Sequence, residues 1–259
     1  MYKEHKAFKT PEDEKKIWRY LDFIKFFDLI STNTLFFPSA DKLGDPFEGS
    51  YPKAWKEYFN ANIDKIFIPE TWDIIDRNSA PKDFSRARRL QRKFVAISCW
   101  NMQEEESAAL WNIYTSTIGG IALQTTVANL KKSIINEKRD IHIGEVEYID
   151  YNSELLSDTF TGDYILKIFL YKGKSYSFEH EVRMVVKLPV IKKIDQFHAK
   201  FISNHKGYNV KIDPNILIEK IYISPTSDKW HKKVVETLLE KYELKKVVHQ
   251  SILKRTPVF

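Results

Sequence analysis

The sequence has few cysteines and few glycines, and each scarcity argues against a class of protein. A single cysteine, Cys99, excludes an internal disulfide framework and favours a reducing compartment. Only 8 glycines occur in 259 residues, and no Gly-x-x-x-x-Gly-Lys-Ser/Thr segment is present, so a glycine-rich phosphate loop is not expected. The chain also lacks a Gly-x-Ser-x-Gly elbow and a His-Glu-x-x-His pair, two common hydrolase signatures.

Long apolar runs are missing as well. No run approaches the roughly 20 residues that a membrane-spanning helix needs. The first residues, Met-Tyr-Lys-Glu-His-Lys, are charged and have no apolar core of the kind found in secretion signals. We therefore expect a cytoplasmic protein that does not interact with membranes, and the sequence leaves its oligomeric state open.

The residues that are present are those of a globular protein. Hydrophobic residues make up 43% of the chain, aromatic residues 14% and charged residues 29%, which supplies a core and argues against disorder. The net charge of +6 is mildly basic. Such a charge permits contact with nucleic acid or another polyanion but does not require it.

The order of apolar patterns predicts one α+β domain over residues 1–259, with a twisted mixed or antiparallel sheet, flanking helices and a helical insertion at about residues 52–93. Helical spacing or start signals mark residues 12–27, 104–114, 127–139, 164–171 and 229–242. Strand patterns mark residues 34–37, 94–100, 117–125, 141–149, 182–188, 217–224 and 246–253.

The pattern of charges singles out one stretch around which we expect the chain to be organised: Lys172-Gly-Lys-Ser-Tyr-Ser-Phe-Glu-His-Glu-Val-Arg183. In a strand, residues two apart share a face, so Glu179, Glu181 and Arg183 are expected to point the same way. Charges entering an apolar strand are costly to bury unless they are paired or used. Two interpretations stay open: a solvated edge strand or structural ion-pair ladder, and a face that lines a cleft.

Other candidate residues lie in three segments that precede this stretch. Asp45 and Glu48 occupy the turn Gly44-Asp-Pro-Phe-Glu48, where Asp45 could equally cap its own backbone. Ser98 lies in an apolar strand, and Trp111 and Tyr114 share a helix face that belongs either to the core or to a cleft. With the cations Lys172, Lys174 and Arg183, these residues complete a candidate binding set.

Two carboxylates on one face, Glu179 and Glu181, allow three kinds of chemistry. They could share a metal ion, share a proton, or stabilise a developing positive charge. The last use suits cleavage of a glycosidic bond, because the transition state resembles an oxocarbenium ion.

The most basic run of the chain is Lys82-Asp-Phe-Ser-Arg-Ala-Arg-Arg-Leu-Gln-Arg-Lys93. Its cations could contact nucleic-acid phosphates, or they could form a solvated helix face. The candidate nucleic-acid contacts are Arg86, Arg88, Arg89, Arg92 and Lys93.

An ordered set of short segments resembles the bacterial domain-of-unknown-function family 2971, over residues of about 18–253. The set comprises Leu35-Phe-Phe, Gly44-Asp-Pro-Phe-Glu48, Ile97-Ser-Cys-Trp100, Leu110-Trp-Asn-Ile-Tyr114, Phe178-Glu-His-Glu-Val-Arg183 and Ile221-Tyr-Ile-Ser-Pro225. The family title implies no activity. Its pattern implies functional positions at Asp45, Glu48, Trp111, Tyr114, Glu179, Glu181 and Arg183.

A weaker resemblance is to ADP-ribosyltransferase-like folds, which carry a Glu-x-Glu on a late strand, a serine on a middle strand and an Arg or His on the first strand. Glu179-His-Glu181 and Ser98 are similar in order and type, whereas the predicted first strand, residues 34–37, has no Arg or His. The resemblance implies NAD as substrate. Glu181 would hold the nicotinamide-ribose hydroxyl and stabilise the cation, Glu179 would orient the acceptor, and Tyr114 or Trp111 would stack on nicotinamide.

Three function hypotheses follow from the sequence. The first is a transferase or glycohydrolase that acts on NAD, in a toxin or phage-defence setting. The second is a nucleic-acid-binding protein or metal-dependent nuclease, with Asp45, Glu48, Glu179 and Glu181 as metal ligands. The third is an interaction module without catalytic activity.

Overall fold

The structure is a computed structural model that describes residues 1–62, 85–86, 89–115, 119–156, 162–189, 191–195, 198–202 and 206–255. The strands are β1 (Lys16–Leu21), β2 (Thr34–Pro38), β3 (Val95–Met102), β4 (Ile121–Thr126), β5 (Ile141–Glu145), β6 (Glu147–Ile149), β7 (Tyr171–Gly173), β8 (Glu181–Lys187), β9 (Ile191–Asp195), β10 (His198–Ile202), β11 (Gly207–Lys211), β12 (Lys220–Ile223) and β13 (Val248–Gln250). The helices are α1 (Phe23–Thr32), α2 (Lys53–Ala61), α3 (Ala108–Tyr114), α4 (Val127–Lys132), α5 (Pro214–Leu217) and α6 (Lys229–Lys241). Short 3₁₀ segments cover Ala40–Lys42, Arg92–Phe94, Gly162–Leu170, Lys174–Glu179 and Ile252–Lys254.

A seven-stranded sheet forms the centre, in the order β13-β12-β4-β1-β3-β8-β5. All neighbours in it are antiparallel except β12 and β13, which run parallel. The predicted α+β class, with a mixed and mostly antiparallel sheet flanked by helices, is therefore confirmed. Among the described residues, no helix has both the length and the apolar content needed to cross a membrane.

Side chains cover both faces of this sheet. On one face, apolar residues of α1, α4, α5 and α6 pack into the larger core. On the other face, α2, the 3₁₀ segment Gly162–Leu170 and Phe8 form a second core. Helix α3 covers Trp18 and Tyr20 of β1 in a smaller cluster.

Strand β8 lies inside the sheet, between β3 and β5. Its residues from Glu181 to Val186 are all buried. The interpretation of this stretch as a solvated edge strand is therefore wrong. Because Arg183 pairs with Cys99 on one side and Gly144 on the other, it lies well inside the ladder.

A glycine allows close packing above Arg183. A Cβ at Gly144 would lie 2.7 Å from Leu170 and 3.0 Å from Phe8, so only glycine leaves room for the layer above. This close approach brings the Phe169 carbonyl within 2.6 Å of Arg183 Nη1.

The predicted helix over residues 12–27 is wrong. The chain forms strand β1 and then turns into α1, whose first turn is capped by Asp22: the Lys25 N–H donates to Asp22 Oδ1 at 2.8 Å. The pattern misled because β1 is buried on both faces. Ile17 and Leu21 join one core while Trp18 and Tyr20 join another, so apolar residues do not alternate with polar ones.

Other predicted boundaries also change. The helix predicted at 164–171 is a 3₁₀ segment followed by β7, and the strand predicted at 141–149 is two strands, β5 and β6. The helix predicted at 127–139 ends at Lys132. The strand predicted at 217–224 begins only at Lys220, after α5, and the one predicted at 246–253 shortens to β13. In the predicted insertion, α2 is helical, and most of the remaining positions lie outside the described residues.

Candidate functional site

Five buried side chains form a chain of alternating charges at the centre of the second core. In spatial order they are Glu48, Arg183, Glu181, Lys172 and Glu179, and we call them the ion cluster. Their residue exposures range from 0% at Arg183 to 6% at Lys172. Three carboxylates and two cations leave the cluster with one excess negative charge when all are ionised.

Arg183 uses every N–H of its guanidinium. It binds the Glu48 carboxylate in a two-pronged arrangement, with Nη1 and Nη2 each 2.6 Å from an oxygen. Its Nε lies 2.9 Å and its Nη2 3.1 Å from the two oxygens of Glu181. The second Nη1 donor reaches the carbonyl of Phe169. Since lysine has no planar fork, it could not reproduce this set of contacts.

Lys172 joins the two glutamates of the Glu-His-Glu segment. Its Nζ donates to Glu179 at 2.6 Å and to Glu181 at 3.0 Å. The same ammonium lies 4.7 Å from the ring centre of Tyr176, within cation–π range. Lys172 therefore connects the buried carboxylates to an aromatic side chain nearer the surface.

The backbone at His180 explains how both glutamates reach Lys172. Glu179 is the last residue of a 3₁₀ segment rather than part of β8, so the prediction that it shares a strand with Glu181 is wrong. His180 adopts a left-handed conformation, with φ 42°, and turns the chain into β8. Asn101 holds this turn, because its side-chain amide donates to the Glu179 carbonyl at 3.0 Å.

Glu48 reaches the cluster from the turn after β2. Gly49 follows Glu48 and has a φ of +65°, which glycine adopts without strain. A Cβ at this position would also lie 2.5 Å from the Phe169 ring, so both the backbone conformation and the packing require glycine. Asp45 accepts a hydrogen bond from the Phe47 N–H at 2.9 Å. Asp45 thus caps its own turn, which is the alternative that the sequence left open, and so helps to position Glu48.

The two glutamates bound to Lys172 differ in proton affinity. Burial alone would raise the pKa of Glu181, but Arg183 and Lys172 outweigh it and lower the pKa to about 2. Burial raises the pKa of Glu179 above its ordinary value, because its hydrogen bond with Lys172 offsets only part of the desolvation. Lys172 itself stays charged, since Glu181 and Glu179 raise its pKa despite burial.

Two tyrosines and the cysteine complete the surroundings of the cluster. Burial raises the pKa of Tyr114, and the nearby Glu179 carboxylate raises it further. The Tyr148 hydroxyl accepts a hydrogen bond from the Glu181 N–H at 2.8 Å. Burial also raises the pKa of the Cys99 thiol, and the nearby Glu181 carboxylate raises it further, which favours the protonated thiol over the thiolate.

An open cleft of about 420 Å³ borders the ion cluster. Phe47, Tyr151 and Tyr176 supply its aromatic walls. Lys174 supplies a positive charge, and Asp45 and Asp150 supply negative charges. Tyr176 contacts Lys172 at one end of the cluster, and Tyr151 lies near Glu48, whose charge contributes to raising the pKa of Tyr151 after the larger effect of burial. The cleft therefore lies next to the ion cluster near Lys172 and near Glu48, through the rings of Tyr176 and Tyr151.

Helix α3 separates its two candidate residues. Trp111 is buried against Tyr20 and donates its indole N–H to Glu106 at 2.9 Å, which makes it a core residue. Tyr114 is 41% exposed and lies close enough to the Glu179 carboxylate that each group shifts the pKa of the other. Of the two aromatic residues proposed for stacking, Tyr114 alone lies beside the carboxylates.

Ser98 lies on the opposite face of the sheet from Glu181. In the β3–β8 ladder Ser98 pairs with Met184, whereas Glu181 pairs with Asn101, three residues along. Paired residues share a face and positions three apart do not, so Ser98 faces the larger core with Met184. Ser98 and Glu181 therefore do not form one site.

Arg19, which the sequence analysis placed in a helix, contacts Ser98. The first strand is β1, not residues 34–37, and it carries Arg19, whose Nη1 donates to Ser98 Oγ at 2.6 Å. The missing first-strand arginine of the ADP-ribosyltransferase resemblance is thus present. It nevertheless lies with Ser98 on the face away from Glu181. No carboxylate lies within ion-pair distance of Arg19 in the part of the chain that the structure describes.

The basic run divides between described and undescribed positions. Arg86, Arg89 and Lys93 are exposed, Arg92 is half-buried, and Arg88 lies outside the described residues. Within the described ranges, no group of three His, Cys, Asp or Glu side chains is arranged to hold a metal ion. Of the ligands that the nuclease hypothesis named, Glu48, Glu179 and Glu181 form ion pairs with Arg183 or Lys172.

Sequence reasoning missed the aromatic cleft, because Phe47, Tyr151 and Tyr176 come from three separate loops. They share no short sequence signal, because Phe47 and Tyr151 each adjoin an acidic residue whereas Tyr176 lies between two serines. The chain matches no protein-family model and no curated protein sequence. The resemblances to family 2971 and to ADP-ribosyltransferases accordingly stay predictions.

Proposed function

We propose that this protein is an enzyme that cleaves or transfers at the N-glycosidic bond of a nucleotide, with NAD as the first substrate to test. One observation carries the proposal: Lys172 joins two glutamates whose pKa values are displaced in opposite directions. Such a pair is typical of sites in which one carboxyl group exchanges a proton while the other stays ionised.

Glu179 is the group of this pair that would meet the substrate. It ends the chain of charges, its carboxylate has one side-chain cation partner, and the half-exposed Tyr114 lies beside it. A carboxyl group with a raised pKa can protonate a leaving group or accept a proton from an attacking nucleophile. Glu179 thus takes the proton-exchange role, in place of the acceptor-orienting role that the resemblance implied.

Glu181 serves as a positioning residue in this proposal. Its two oxygens already accept hydrogen bonds from both Arg183 and Lys172, so neither oxygen is free to bind a ribose hydroxyl. Its fixed charge keeps Lys172 protonated and holds the ammonium against Glu179. Its negative charge would also stabilise a positive charge that develops on the substrate without touching it, because electrostatic attraction is stronger in a site from which water is excluded.

The cleft supports a nucleotide as substrate. Its volume of about 420 Å³ lies in the range of small-molecule sites, and its aromatic walls suit a planar ring. The exposed Lys174 at the same cleft suits a phosphate group. Tyr176 lines the cleft and contacts Lys172, which in turn binds Glu179, so Tyr176 and Lys172 connect a ring bound in the cleft to the glutamate pair.

The test is nicotinamide release from NAD, measured by chromatography with and without cell extract as a source of acceptors. We expect Glu179→Gln to lower the rate at least 100-fold, while Tyr176→Ala mainly raises KM. The matched control is Glu147→Gln, which removes the same charge from an exposed strand residue. Thermal midpoints establish that each variant is folded.

Two results would overturn the proposal. One is the absence of nicotinamide release by the wild-type protein with and without extract. The other is activity that survives in a folded Glu179→Gln variant. In wild-type protein the rate should also depend on a group that titrates above the ordinary glutamate pKa, and that dependence should vanish with Glu179→Gln.

A further inference from the structure

A second cavity lies away from the ion cluster, between α2 and the basic segment that precedes β3. Its volume is about 260 Å³. The side chains that matter for its chemistry are Trp55, Lys56, Asn60, Ser85, Arg89 and Arg92. It shares no lining residue with the cleft beside the ion cluster.

Three cations line this cavity. Lys56 and Arg89 are exposed and Arg92 is half-buried. No carboxylate lines the cavity among the described residues, and none forms an ion pair with these three cations there. The acidic neighbour on α2, Glu57, pairs instead with Lys53 at 4.0 Å. Three like charges around a concave surface repel one another and attract an anion.

Arg92 gives a second and independent indication. Its Nη1 donates to the Pro46 carbonyl at 3.4 Å, but its Nε is buried and has no hydrogen-bond acceptor among the residues that the structure describes. A buried donor without an acceptor costs free energy, and such donors are rare in native structures. An anionic oxygen bound in the cavity would accept a hydrogen bond from Arg92 Nε, which no described protein atom accepts.

The wall behind these cations is rigid. Trp55 stacks on Tyr51 with ring centres 3.8 Å apart and on Phe59 at 5.3 Å. The Trp55 indole N–H also donates to the Leu156 carbonyl at 3.1 Å, which ties α2 to the second core. The Lys56 backbone is therefore held in place, so an anion does not have to order it on binding.

We propose that this cavity binds a phosphate group of a single-stranded nucleic acid. The cations continue past the cavity, because the exposed Arg86 and Lys93 belong to the same segment as Arg89 and Arg92. A row of cations longer than one phosphate suits a polyanion better than a single small anion. The site is separate from the nucleotide cleft and does not depend on the proposed enzymatic activity.

The experiment measures binding of a fluorescently labelled 20-nucleotide single-stranded RNA, and of the matching DNA, by anisotropy over a range of salt concentrations. The charge reversal Lys56→Glu with Arg89→Glu should weaken binding at least tenfold and lower the salt slope by about 2. The matched control, Lys229→Glu with Lys233→Glu, makes the same charge change at exposed positions of α6, on the other face of the sheet. It should change affinity less than twofold.

Thermal-shift measurements with ATP and with inorganic phosphate test whether the cavity binds a small phosphate compound in place of a nucleic acid. Stabilisation by ATP or phosphate without oligonucleotide binding overturns the assignment to nucleic acid. Equal losses in the two charge-reversal variants show that net charge alone drives binding, which also overturns the site. Since the readout does not involve NAD, failure here and failure of the glycosidic proposal are distinguishable.

Discussion

Replacing Arg183 with methionine tests whether the ion cluster holds the second core together. Arg183 is fully buried, and it lies between two carboxylates whose side chains are each 2% exposed. Methionine has a similar length and removes the charge while leaving little cavity. The change withdraws all the guanidinium hydrogen bonds to Glu48, Glu181 and the Phe169 carbonyl at once.

The expected cost is large because the two carboxylates remain. Breaking a buried ion pair by removing one partner typically costs about 3–5 kcal/mol, since an uncompensated charge is left behind. Natural domains have about 5–15 kcal/mol of stability in total, so this loss is a large share of it. Glu179→Gln and Glu181→Gln should each cost less, because glutamine keeps an acceptor oxygen towards Lys172 or Arg183.

Urea unfolding at pH 7, followed by tryptophan fluorescence, measures the effect. Arg19→Met is the matched control, because Arg19 also lies in the sheet but leaves no carboxylate behind among the described residues. We expect the Arg183 variant to lose at least 2 kcal/mol more than this control, on the scale of a buried pair broken on one side. Adding Glu48→Gln and Glu181→Gln to Arg183→Met should recover part of the loss.

An unchanged urea midpoint in Arg183→Met would refute the reasoning. It would mean that water solvates Glu48 and Glu181 in the folded protein, contrary to their burial. A loss equal to that of Arg19→Met would refute it too, because the cost would then come from removing any arginine of the sheet.

Two further predictions follow from the same region. Stability should fall as the pH drops from about 4.5 towards 2, because the lowered pKa of Glu181 stabilises the folded state only while Glu181 is ionised; the contribution is on the order of 3 kcal/mol. Urea midpoints at pH 7, 5 and 3 should show this loss in wild-type protein and a smaller one in Glu181→Gln. His180→Val should lower the thermal midpoint by the equivalent of about 1–3 kcal/mol, because a β-branched residue is strained at φ 42°. His180→Gly, at this exposed position, should stay close to wild type, and equal midpoints for the two variants would contradict the argument.

The fold class could be predicted from the sequence because β8, β3 and α6 have residue patterns that local preferences alone assign to a strand or a helix. Strand β8 contains a run of apolar residues, several of them with branched side chains. The apolar residues of α6 have helical spacing, and the predicted end of this helix lies within one residue of the observed end. Strand β1 could not be predicted in this way. Both of its faces are buried, so Ile17, Tyr20 and Leu21 fit a helical pattern as well as a strand.

The same limit applies to the site. Glu181 and Arg183 were predicted to share a face from strand periodicity alone, and they do. The contact between Glu48 and Arg183 joins residues 135 positions apart, and no local pattern encodes it. Strand alternation also could not predict the left-handed turn at His180. The sequence Glu179-His-Glu181 is the same whether the strand begins at Glu179 or at Glu181.

The cluster can be both a structural core and part of a reactive site because its two ends differ. At the Glu48 end, a two-pronged bond to Arg183 closes the arrangement, and the second core covers it. At the Glu179 end, the carboxyl group keeps a raised pKa beside a half-exposed tyrosine. Of the two glutamates bound to Lys172, Glu179 is therefore the easier to protonate, since the pKa of Glu181 is lowered to about 2. A cluster built in this way holds its geometry through one set of bonds while one terminal carboxyl group gains and loses a proton.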